Sequence, residues 1–171
     1  MNINVNDVTL ERYQDFVLSI YQKYLDSLNN KFLFLAKCYQ LVVNINLAEV
    51  FPISSGYFQK GPEISISICP KDPDEYVAFI IAHEFAHLLF DKVDDVLLVS
   101  GRANDESTYY SAIQRADDEG NTYGLALEEA CADALAKWIV SDMGFENSSH
   151  RPLRRLDGSK EGAELVRKLS R

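Results

Sequence analysis

A mainly helical α+β domain with a small sheet is the fold class this sequence predicts, and three observations predict it. Apolar residues recur at three- and four-residue spacing over several long windows, as one buried helix face requires. Two short windows instead alternate apolar with polar residues, as half-buried strands do. The length, 171 residues, is one domain's worth and enough to bury a core, so residues 1–171 are expected to form a single domain.

The elements follow in order. Val8, Tyr13, Phe16, Val17, Ile20, Tyr24, Leu25 and Leu28 predict an amphipathic helix over 8–28, stopped at Asn29-Asn30. Residues 31–41 fit a helix or a buried strand equally. Val43, Ile45 and Leu47 alternate with asparagines and predict a strand. Pro52 and Ser54-Ser55-Gly56 read as breakers, and Lys60-Gly61-Pro62 as a turn. Ile64, Ile66 and Ile68, alternating with Ser65 and Ser67, form the clearest strand signal. A helix should then start with Asp72 as cap, Pro73 in first position and Glu75 completing a capping box, and run to about Asp91. Residues 91–104 read as loop. A helix is expected over 106–116, and another over 122–143 that stops at Gly144. A short basic helix closes a tail over about 147–171.

Composition narrows the function. The net charge is −9, and phosphate binding needs clustered Lys and Arg, so nucleic acid and anionic membrane surfaces are not expected partners. The tail is the exception, with seven Lys or Arg against three acids from His150 onward. It carries no interleaved aromatics, so it reads as a solvated helix on an acidic body. Cys38, Cys69 and Cys131 are odd in number and widely spaced, which fits buried thiols in a reducing cytoplasm rather than disulfides or a zinc ribbon. The N-terminus has neither the basic nor the apolar region of a signal peptide, and no apolar run approaches the roughly 20 residues of a membrane span. A cytoplasmic location is expected.

The chemistry concentrates in His83-Glu84-Phe85-Ala86-His87, an H-E-x-x-H motif that holds two of the three histidines. Four residues turn a helix by about 400°, which stacks both imidazoles on one face, where they can share one Zn²⁺. Glu84 then sits beside the metal, placed to take a proton from an activated water. Burying these groups between Phe79, Ile80, Ile81, Leu88 and Leu89 would cost several kcal/mol without a compensating partner, and a cation is one.

A catalytic zinc needs a third protein ligand and an open position. Phe90 and Val93 stand where a metzincin would have Gly and His, and no H-x-x-E-H occurs. The remaining source is a glutamate on another helix. Glu129 and Asp133 lie one turn apart on the 122–143 helix, so Glu129 can ligate while Asp133 accepts the free N–H of a ligand imidazole. Glu128, about 100° around that helix, and His150 are the alternatives for the third ligand. Asp91, about 12 Å along the axis from His83, is too far to share its metal. Tyr109, Tyr110, Tyr123 and His150 are candidates to stabilise an oxyanion.

These two segments resemble the gluzincin metallopeptidases, which pair H-E-x-x-H with a downstream E-x-x-x-D, and within them are most similar to the ImmA/IrrE-type proteins. The resemblance is carried by Ala82-His83-Glu84-Phe85-Ala86-His87-Leu88-Leu89-Phe90 and by Glu129-x-x-Ala132-Asp133-x-Leu135-Ala136. It departs from that subfamily in a longer interval between His87 and Glu129, in Asp133 where asparagine is common, and in lacking a helix-turn-helix module. The resemblance implies a zincin-like fold, an active-site helix beside a small sheet, and hydrolysis of peptide bonds in a protein or peptide substrate with one zinc per chain. It also implies that a strand beside that helix, here 64–69, can take an extended peptide at the sheet edge. The rival expectations are a metal-binding regulatory protein with a degenerate site, and an antitoxin-like partner protein acting through its acidic surface.

Overall fold

The computed structural model describes residues 1–25, 41–48, 54–59, 63–99 and 124–145. The helix expected over 106–116, most of the 31–41 stretch and the basic tail lie outside the described residues. Along the chain come β1 (Asn2–Val5), a 3-10 turn (Val8–Leu10), α1 (Arg12–Ile20) with a π turn (Tyr21–Leu25), β2 (Val42–Leu47), β3 (Ser55–Gln59), β4 (Glu63–Ile68), α2 (Asp74–Val99) and α3 (Gly124–Asp142). This is an α+β fold with a mixed four-stranded sheet in the order β1-β2-β4-β3. β1, β2 and β4 run parallel, and β3 pairs antiparallel with β4 at the far edge.

Strand alternation sorts the sheet into two faces. Val43 and Ile45 on β2 stand in register with Ile64 and Ile66 on β4, and all four are fully buried. The other face is polar: Asn4 donates to Asn44 at 2.9 Å, and Asn44 donates to Glu63 at 2.6 Å. The buried face packs into a core shared with α2, on which every residue from Val77 to Leu89 is buried. A helix enclosed on all sides can carry polar groups only where they find partners, and α2 carries His83, Glu84 and His87 inside that stretch. Ile45→Ala, in the middle of this core, should lower the unfolding free energy by about 2–5 kcal/mol, measurable as a reduced urea midpoint.

Polar contacts fix the other helices around α2. Asp74 at its start accepts from Tyr13 at 2.7 Å and pairs with Arg12 at 2.8 Å, which ties down α1. Asp142 at the end of α3 accepts from Tyr24 and pairs with Lys23 at 2.7 Å, while the Tyr24 and Trp138 rings meet at 5.6 Å. α3 ends as predicted at Gly144, whose φ of 87° suits a residue without Cβ. The Phe145 N–H to Val140 and the Gly144 N–H to Ser141 complete a Schellman motif.

Several elements differ from expectation. Val8 is 74% exposed rather than inward, because Asp7 caps a 3-10 turn through Thr9 and that turn sends Leu10 inside instead. Asp72 accepts from the Ser54 N–H at 2.6 Å, joining the start of β3 to the start of α2, which begins at Asp74. α2 continues to Val99 rather than ending near Asp91, consistent with a chain that has no Gly or Pro between Pro73 and Gly101. β1 and β3 were not expected. β4, read as the strand offering an edge, lies inside the sheet, and β3 is the edge. Among the described residues, no helix is long and apolar enough to cross a membrane.

Candidate metal centre

The i, i+4 spacing on α2 places His83 and His87 one above the other, with their Nε2 atoms 3.2 Å apart. Their rings meet edge-on at 80° and are held by neighbours: Phe79 lies 6.3 Å from the His83 ring, and Phe58 on β3 is parallel to His87 at 6.4 Å. α3 supplies the third group. Glu129 Oε2 is 3.3 Å from His83 Nε2, and Glu129 Oε1 is 3.6 Å from His87 Nε2. α3 can bring a carboxylate this close because the residues packed beneath it, Ala132 and Ala136, are small and fully buried. The ligand atoms of His83, His87 and Glu129 all fall within 4.8 Å of one another, a cluster that could hold a metal ion.

Asp133 lies on the far side of His83. It is 1% exposed, and its Oδ1 is 2.8 Å from His83 Nδ1, a charge contact set off hydrogen-bond geometry. A carboxylate there favours a proton on Nδ1, which leaves the Nε2 lone pair on the side of His87 and Glu129. Lone pairs of two imidazoles and a carboxylate then face one another across 3.2, 3.3 and 3.6 Å. With both Nε2 atoms unprotonated, a cation between the three groups satisfies that arrangement, as a proton on either Nε2 also would. Four ligands at zinc-like bond lengths of 2.0–2.1 Å stand about 3.3–3.4 Å apart at tetrahedral angles, so the spacing fits a metal.

The electrostatics agree. Burial works against a charged His83, but Asp133 and Glu129, with the nearby Glu84 carboxylate, outweigh it and raise its pKa. Glu129 is held well below the ordinary carboxylate range, chiefly by His83 and then His87. Three carboxylates converge on two imidazoles, and the field that draws a proton to His83 also draws a cation. The Glu129 side chain is 33% exposed, so the cluster is reached from solvent on that side. Glu84 is 6% exposed and rests against the backbone of Gly56 on β3.

The structure therefore brings His83, Glu84, His87, Glu129 and Asp133 together. Tyr109, Tyr110, Tyr123 and His150 lie outside the described residues, as do the side chains of Glu128 and Cys131. Sequence reasoning missed Gly56 and Phe58. Their signal was a glycine followed by two aromatics, a pattern that marks an edge strand with close backbone approach as well as a turn. Asp133→Ala removes the acceptor from His83 Nδ1 and should weaken metal binding by about 10–100-fold in a competition titration against a chromophoric chelator. Comparison of the chain with family models, with curated proteins and with solved structures finds no match.

Proposed function

We propose that this protein is a zinc-dependent peptidase of zincin type, in which His83, His87 and Glu129 hold the metal and Glu84 is the general base, acting on a protein or peptide in the cytoplasm. The observation that carries the proposal is the convergence of the three ligands within 4.8 Å beside a buried carboxylate one residue along the same helix. Two imidazoles and one carboxylate, the three ligands among the described residues, match the donor set of a catalytic zinc. When bound, the metal polarises the scissile carbonyl and lowers the pKa of water.

The chain's own residues do the rest. Asp133 orients His83 through Nδ1 and keeps its Nε2 unprotonated for ligation. Glu84 accepts a proton from the attacking water as the C–O bond forms, then delivers it to the leaving amine as the C–N bond breaks. Phe79 beside His83 and Phe58 beside His87 limit bulk water around the two ligand rings. β3, at the sheet edge beside α2, is the strand along which an extended peptide would pair. The test is hydrolysis of a diverse peptide mixture by zinc-loaded wild-type and Glu84→Gln protein: new amino termini in the first alone support the proposal, and equal products in both contradict it.

A further inference from the structure

We infer that Gly56 is a positioning residue: its missing side chain leaves the space on β3 in which the Glu84 carboxylate is seated. A Cβ built at position 56 would lie 2.4 Å from Glu84 Cγ, 2.8 Å from Cδ and 2.6 Å from Oε1. Real carbon–carbon contacts do not approach that closely, so one side must move. The strand is poorly free to do so. Gly56 is in register with Ile66, which is fully buried, and its neighbour Ser54 is anchored by the Ser54 N–H to Asp72 and by its Oγ to the Cys69 N–H.

Glu84 has little freedom as well. Its Cα belongs to a helix enclosed along this stretch, and the side chain is 6% exposed. The three clashing atoms begin at Cγ, so rotating the carboxylate alone gives no relief. The whole side chain would have to leave its rotamer, and with it the position beside His83 and His87. The three heavy atoms nearest that Cβ all belong to Glu84 and none to a ligand. Glycine otherwise weakens a strand, so its presence in β3 is accounted for by the close approach of Glu84.

The catalytic consequence rests on the peptidase reading above, whereas the seat itself does not, and the experiment separates them. Thermal unfolding is measured for wild-type, Gly56→Ala, Glu84→Ala and the double variant. Gly56→Ala should lower Tm by about 3–8 °C in the wild-type background. In the Glu84→Ala background, where Cγ, Cδ and Oε1 are gone, the same substitution should leave Tm unchanged or raise it. If Gly56→Ala does not fold, recovery of folded protein on adding Glu84→Ala supports the seat in the same way. An equal loss in both backgrounds, or a double variant that also fails to fold, overturns it. With any peptide the wild type cleaves, Gly56→Ala should keep KM and zinc content and lose kcat by about 100-fold, since only the base is displaced. An unchanged kcat overturns the positioning role. Coupling in Tm without hydrolysis by the wild type would leave the seat standing and remove the peptidase reading alone.

Discussion

Glu84→Gln protein should retain its zinc and hydrolyse peptide about 10²–10⁴-fold more slowly than wild type. Glutamine matches the shape of glutamate, so the contact with Gly56 and the surrounding packing persist. What is lost is the basic oxygen that takes up a proton. Metal content measured on the same samples makes the result specific, since a variant that lost both metal and activity would say nothing about the base. Hydrolysis at the wild-type rate by the zinc-loaded variant would exclude Glu84 from the chemistry. A wild type inert on every peptide tested, with its zinc in place, would favour a binding or sensing role for the metal.

Glu129→Ala should weaken zinc binding by more than about 100-fold, beyond the loss caused by removing an outer partner such as Asp133. Glu129 is one of the three proposed ligands and the one that comes from a separate helix, 3.3 Å from His83 and 3.6 Å from His87. Without it, two imidazoles on one helix remain, a weak site. Glu128→Ala, on a position about 100° around α3, should keep the metal. Competition with a chromophoric chelator reads both affinities. Equal affinity for wild type and Glu129→Ala would move the third ligand elsewhere.

Much of this site was legible because helices translate spacing into geometry. His83 and His87 four apart, and Glu129 and Asp133 four apart, each define one face of a helix whatever the rest of the fold does. The requirement for a third ligand pointed from the first pair to the second, and α2 and α3 bring the pairs together. Binary pattern likewise revealed β2, β4 and the buried face of α1, where Tyr13, Val17 and Ile20 face inward. The strands that escaped did so for physical reasons. β1 is four residues long, and half of them are asparagines, which have low strand propensity and are used here for side-chain bonding across the polar face. β3 opens with Ser-Gly, the composition of a turn, because it must let a carboxylate approach its backbone. Local propensity and the needs of the site conflict there, and the site prevails.

The pairing of neighbouring strands was also beyond a local reading. β4 has the clearest alternation in the chain, and the resemblance to zincins gave it the substrate edge. Strong alternation reports one buried face and says nothing about whether both edges are paired. Register with β2 on one side and β3 on the other places β4 inside the sheet. Strand order is a property of the whole sheet, and it transfers the edge to the strand with the weakest signal.

One zinc ion held by His83, His87 and Glu129 is what the proposed chemistry depends on. The most direct test is elemental analysis of protein purified without chelators and without histidine tags, run beside Glu129→Ala. The expected result is about one zinc per wild-type chain and almost none in the variant. Folded wild-type protein that contains no zinc and takes up none when it is added would contradict it.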